Sequence, residues 1–176
     1  MKKILSLLFI LIAIQTAVYA DAETDMHQAY IAKIQAQDIK YNTYNFFSAI
    51  SNGNVQLVDL FLKSGMSPDS TFMKTPAIYV AIASNQNEVV KMLLDNKVDP
   101  NKELAGITPL LMAIRQKDAK IVETLIAYGA DVNQSAGYTK PLAYAIQKKQ
   151  PKIVELLINA GAKPDNEVLI KALKSD

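Results

Sequence analysis

The chain has 176 residues, half of them hydrophobic, with no Cys, no Trp and a formal net charge of +2. A chain of this length can bury roughly two-thirds of its unfolded surface in one domain, here without disulfide support. A single His and no Cys nearly exclude nucleophile–base pairs of the Ser-His or Cys-His kind.

The first twenty residues stand apart. Lys2 and Lys3 make a basic start, and Ile4 to Ile14 is an apolar run of eleven residues broken only by Ser6. Val18-Tyr19-Ala20 comes next, with residues suited to a cleavage site. This is the layout of a secretory signal peptide, cut after Ala20. Eleven apolar residues fall short of the roughly 20 that a membrane-spanning helix needs. The cut removes both lysines and leaves 17 basic against 17 acidic residues in 21–176. A neutral mature chain has no general attraction to nucleic acid or anionic lipid, so neither is expected as a partner. The expected location is the periplasm or outside the cell. The Lys-Lys start points to a bacterial leader.

Residues 21–43 form a separate arm. Asp25 can cap a helix from Met26 to Ile39, with Tyr30, Ile31 and Ile34 on one face. The arm either covers the segment that begins at residue 44 or is loosely attached to it.

From residue 44 the chain repeats itself. Ala49, Ala81, Ala113 and Ala145 lie 32 residues apart, and Asp69, Asn101, Asn133 and Asp165 keep the same interval. So do Leu57-Val58, Val89-Val90, Ile121-Val122 and Ile153-Val154. The third unit is the easiest to read. Thr108 suits an N-cap and Pro109 the first helical position, where its missing N–H costs nothing. Leu110, Ala113 and Ile114 continue a short helix. Asp118 caps a second one, with Ile121, Val122, Leu125 and Ile126 as its apolar stripe. Gly129 sits where a helix ends in a left-handed residue. Asp131-Val132-Asn133 then leads into the turn at Ala136-Gly137. A helix–turn–helix unit of this kind cannot bury its apolar face alone and must stack on its neighbours. The marker alanines are small because adjacent first helices approach closely there.

TPLLMAI…IVETLIAYGADVN (108–133) and KPLAYAI (140–146) resemble the ankyrin repeat, as does unit two, TPAIYVAI…VVKMLLDNKVDPN, although its Thr-Pro falls one residue early. Unit one, NFFSAISNGNVQLVDLFLKSGMSPD, lacks Thr-Pro and looks like an N-terminal cap. The resemblance covers residues 44–165 and implies an all-α repeat solenoid. Its units are about 44–69, 70–101, 102–133 and 134–165. Asn166 to Leu173, within 166–176, is expected to be a capping helix with Leu169, Ala172 and Leu173 facing inward.

The departures from the family pattern carry expectations of their own. The consensus His is Tyr79, Leu111 or Ala143 here, so its hydrogen bond to the turn is expected to be missing. The glycine between the two helices survives only as Gly53, with Asn85, Lys117 and Lys149 as equivalents. Lys97 replaces the terminal glycine that unit one keeps as Gly65 and the later units as Gly129 and Gly161.

No catalytic constellation emerges. Asp99, Asp131 and Asp165 recur with the repeat and read as turn caps. No Gly-rich phosphate loop and no calcium-type acidic loop is present, so no cofactor or metal is expected. His27 reads as a surface residue of the arm. The sequon Asn133-Gln134-Ser135 reads as the recurring turn Asn. Residues 21–43 are too few for a catalytic domain.

The family docks partners on its concave side, formed by turn tips and the outer face of the first helices. Carried over by position, this gives Phe72 and Met73 in one tip, Leu104 in the next and Tyr138 in the last. Met112 and Tyr144 precede marker alanines, as do Ser48 and Val80. Arg115 lies two residues after one, as do Ser51, Ala83 and Gln147. Tyr, Met, Phe and Arg are enriched in interface cores. Tyr79 and Ile107 are expected to fold back between turns. The resulting expectation is a monomeric, non-catalytic module that binds a protein partner. The rivals are a ligand-binding or enzymatic groove and a passive self-associating protein.

Overall fold

The computed structural model describes residues 2–135, 137 and 139–164, with the backbone alone at 2–14, 17 and 18. The expected capping helix at 166–173 lies outside the described residues, as do Asp165 and Tyr138.

Helix α1 (Lys2–Gln35) opens the chain. It passes through Asp25 without a break, so Asp25 caps nothing and no new helix starts at Met26. A cap needs an extended residue before the first turn. No Gly or Pro precedes Gly53, so neither breaks the helix at Asp25. It also stops short of Ile39, in a turn that ends with left-handed Asp38 (φ 58°). Ile34 is fully buried, while His27, Tyr30 and Ile31 are half-buried on the same face. That face packs on α3 (Val55–Lys63). Tyr41 stacks on Phe61 with ring centres 5.6 Å apart, and its hydroxyl donates to the Ser64 carbonyl at 2.9 Å. The arm therefore covers the first unit. Among the described residues no helix is long and apolar enough to cross a membrane.

Four helix pairs come after it. They are α2 (Thr43–Ser51) with α3, α4 (Ala77–Ala83) with α5 (Asn87–Asp95), α6 (Pro109–Gln116) with α7 (Ala119–Ala127), and α8 (Pro141–Gln147) with α9 (Pro151–Asn159). First helices stack on first helices and second on second. This is the all-α repeat solenoid that the 32-residue period predicts. The four marker alanines are at most 2 % exposed, as close helix approach requires. Ile82, Leu93, Ile114, Ile121 and Leu125 fill the layers between them, fully buried. Burying one such side chain is worth about 1.5–3 kcal/mol.

The expected caps form in unit three. Thr108 Oγ1 accepts from Leu111 N at 3.1 Å, and Asp118 Oδ1 accepts from Lys120 N and Ile121 N. In unit two the early Thr-Pro pair is used differently. Thr75–Pro76 is strand β2, paired antiparallel with β1 (Thr71–Phe72). The loop between them, Met73 (φ 49°) and Lys74 (φ 64°), is left-handed at both positions. Such a type I′ turn matches the twist of the flanking strands. Ala105 (φ 50°) and Gly106 (φ 74°) repeat the pattern between Leu104 and Ile107, whose backbones exchange two 3.0 Å hydrogen bonds.

The marker asparagines stitch units together. Asn101 Nδ2 donates to the Gly129 carbonyl at 3.1 Å, and its Oδ1 accepts from Asp131 N at 2.7 Å. Asn133 does the same to Gly161 and Lys163, at 3.2 and 2.8 Å. Asp99 and Asp131 accept from the backbone N–H two residues on, as turn caps. On the other side of the stack, Gln86 Nε2 donates to the Ser51 carbonyl and Gln150 Nε2 to that of Ile114, both at 3.0 Å. Gly53 is left-handed (φ 67°), and a Cβ there would also displace the Gln86 amide from its place.

Lys97 is left-handed (φ 67°), in register with Gly65, Gly129 and Gly161. A side chain there costs about 1–2 kcal/mol, partly offset by the extra unfolded-state entropy of glycine. Lys97→Gly is expected to stabilise the fold by about 0.5–1 kcal/mol and raise the melting temperature by about 2–3 °C. Thermal melting followed by circular dichroism checks this, and a fall would contradict it.

Candidate binding surface

The first helices and the turns between units line one side of the stack. Tyr79, on α4, organises the central turn. It stands where the family has His, yet the expected loss of the turn bond does not occur. Its hydroxyl accepts from Leu104 N at 3.1 Å and donates into the carbonyls of Ile107 and Lys102, at 2.5 and 3.0 Å. The longer phenol reaches the same turn that an imidazole would. Leu111 and Ala143 carry no group for such a bond, so the expectation holds for them.

Tyr79 is only 4 % exposed, and burial pushes its hydroxyl up to about 12 from 10.0, with Glu103 adding to the rise. The Leu104 backbone bond acts in the opposite sense.

Between α4, α6 and this turn runs a groove of about 610 Å³. Its walls include Tyr79, Val80, Ala83, Leu104, Met112 and Arg115. Three of the residues singled out from sequence, Leu104, Met112 and Arg115, thus meet in one place, although 11 residues separate the first from the last. Val80 and Ala83 join them through the repeat register. Tyr79 is the wall that sequence reasoning missed as a contributor. Its signal was a large hydrogen-bonding side chain at the His position.

The other candidates lie elsewhere. Met73 is at the hairpin tip, 84 % exposed. Phe72 turns inward, its ring 5.6 Å from that of Phe47 and 6.0 Å from that of Tyr44. It is half-buried against the core and anchors the tip. Tyr144 lies on α8, half-buried, with Lys148 Nζ 5.4 Å from its ring centre. Arg115 is exposed, and among the described residues no carboxylate pairs with it. A second depression of about 680 Å³ lies at the far end of the stack, against Ile146, Val154 and Ile158.

Removing the Tyr79 hydroxyl takes one partner from the Lys102 carbonyl, while Leu104 N–H and the Ile107 carbonyl keep their bond to each other. Tyr79→Phe is expected to cost about 0.5–1.5 kcal/mol in denaturant unfolding. The raised hydroxyl also has a pH signature. Its contribution is complete below pH 10 and declines as pH rises through the window up to about 12, because the unfolded chain ionises first. Wild type is expected to lose stability there more steeply than Tyr79→Phe.

A family model described as ankyrin repeats (3 copies) matches residues 14–104 and 98–168. A search of curated proteins found no match. Ankyrin repeats are generally protein–protein interaction modules and typically non-catalytic. The helix pairs, the stacking alanines, the left-handed turns and this match lead to one assignment: the chain belongs to the ankyrin-repeat family.

Proposed function

We propose that this protein is an exported, non-catalytic module that binds a partner protein through its concave face. The groove between α4 and α6 carries the reading. It is assembled from equivalent positions of two consecutive units, as a docking surface on a stack must be. Its apolar walls stand on rigid helices, and Arg115 sets a free charge at its edge. Met73 and Tyr144 extend the surface toward the neighbouring units. What supports export is the basic start, the short apolar run and Ala20. A bacterial envelope partner, bound by a monomer in the periplasm or outside the cell, is the form that fits this layout.

The test is a cross-linking pull-down from the native envelope fraction, comparing wild type with Met73→Glu/Met112→Glu. Both positions are accessible enough to change without emptying the core, and circular dichroism checks the fold. A protein captured by wild type and lost with the variant is the expected result. Equal capture by both would move the site off this face. Intact-mass analysis of the exported protein is expected to show a chain starting at Asp21. A mass that retains residues 1–20 would overturn the cleavage.

A further inference from the structure

We propose that the groove takes one large apolar side chain from an acidic segment of the partner, with a neighbouring carboxylate held by Arg115. The proposal rests on the reading of the concave face as the docking surface and adds the chemistry of what docks.

Charge is divided between the two layers of the stack. The first helices, α2, α4, α6 and α8, contain no Asp or Glu. The second helices carry Asp59, Glu88, Asp95, Glu123 and Glu155. Several of these are already occupied. Lys63 pairs with Asp59 at 2.7 Å and Lys120 with Glu88 at 3.2 Å, and Tyr128 donates to Asp95. At or just after the first helices stand Arg115, Lys117, Lys148 and Lys149, all exposed, and of these Arg115 lines the groove. The nearby acid, Glu103, stands in the stem of the turn, where its carboxylate accepts from Gln134 Nε2 at 3.0 Å. The surface around the groove is therefore apolar with a positive rim.

Arg115 is the chain's single arginine among eighteen lysines. A guanidinium holds a carboxylate with two parallel hydrogen bonds, a geometry that an ammonium cannot offer. Most of the groove wall is apolar. The Tyr79 hydroxyl is consumed by the turn, which leaves the Tyr79 ring with Val80, Ala83, Leu104, Ile107 and Met112, while Thr75 and Gln116 add polar groups to the wall. A space of about 610 Å³ has the size of a ligand cleft, with room for one large side chain together with its flanking backbone. An aromatic or leucine side chain flanked by Asp or Glu satisfies both halves of the site.

The test uses the purified protein and three synthetic Ser/Gly peptides, carrying Glu-Phe-Glu, Lys-Phe-Lys or Glu-Ala-Glu at the centre. Binding is followed by amide chemical shifts in nitrogen-15 NMR. Glu-Phe-Glu is expected to shift Val80, Ala83, Met112 and Arg115, and to bind about tenfold more tightly than either other peptide. Arg115→Gln is expected to remove the margin over Lys-Phe-Lys but to leave that over Glu-Ala-Glu, and Arg115→Glu to reverse the preference toward Lys-Phe-Lys. Equal affinity for the first two peptides, shifts confined to other units, or no shift with any peptide at millimolar concentration would each overturn the proposal. The envelope pull-down keeps the two readings apart. If capture is lost with Met73→Glu/Met112→Glu but the peptides show no preference, the face stands and the acidic anchor fails. If the variant is captured as well as wild type, the face itself fails.

Discussion

None of helices α2 to α9 exceeds nine residues, and a helix that short is marginal in water on its own. Lateral stacking is therefore the constraint on which the other features depend. The marker alanines let neighbouring first helices approach, and Ile, Leu and Val at fixed offsets fill the layers that result. Close approach leaves the first helices one free side, and that side is the groove. The second helices have more room, so lysines and carboxylates line them and reach across units. Each exposed pair of this kind is worth little, on the order of 0–1 kcal/mol. They keep the outer side soluble while burial supplies the stability.

The repeat was legible because stacking imposes the same demand every 32 residues, and identical demands leave identical residues. The helix pairs, the caps at Thr108 and Asp118 and the left-handed positions came with it. The missed features depend on groups distant in sequence. Tyr79 looked like a lost hydrogen bond because its partners, Lys102, Leu104 and Ile107, lie in the turn of the next unit. Phe72 looked like an exposed tip because its seat, formed by Tyr44 and Phe47, belongs to the preceding unit. Asp25 misled for a local reason. Its side chain can cap, but no Gly or Pro stands near Asp25 to force the chain out of the helix at that point. The groove was legible in part, since register alone joined Val80, Ala83, Met112 and Arg115. That Leu104 would close its wall required knowing that the turn is held down by Tyr79.

Non-glycine residues in left-handed backbone fall at recurring places: Asn85, Lys97, Lys117 and Lys149 at the helix junctions, Met73, Lys74 and Ala105 in the turns, and Asp38 after α1. Each carries a strain that stacking must overcome. The fold tolerates this because the chain must reverse direction at those points for the layers to meet. Topology has overruled local preference at the same places in successive units.

The asparagine clips run from unit two to unit three and from unit three to unit four, but unit one has Asp69 at that position. A carboxylate cannot donate to the Lys97 carbonyl, and Asp69 instead meets Lys102 Nζ at 3.4 Å on the surface. Each unit touches only its neighbours, so each junction is held by its own set of contacts. Between units one and two the clip is replaced by the Gln86 bond to the Ser51 carbonyl and by the seat of Phe72 against Tyr44 and Phe47. The groove lies between units two and three, where the Asn101 clip and the Tyr79 bonds to the turn fix its two walls to each other. Its shape therefore belongs to one junction and does not depend on how the arm meets unit one.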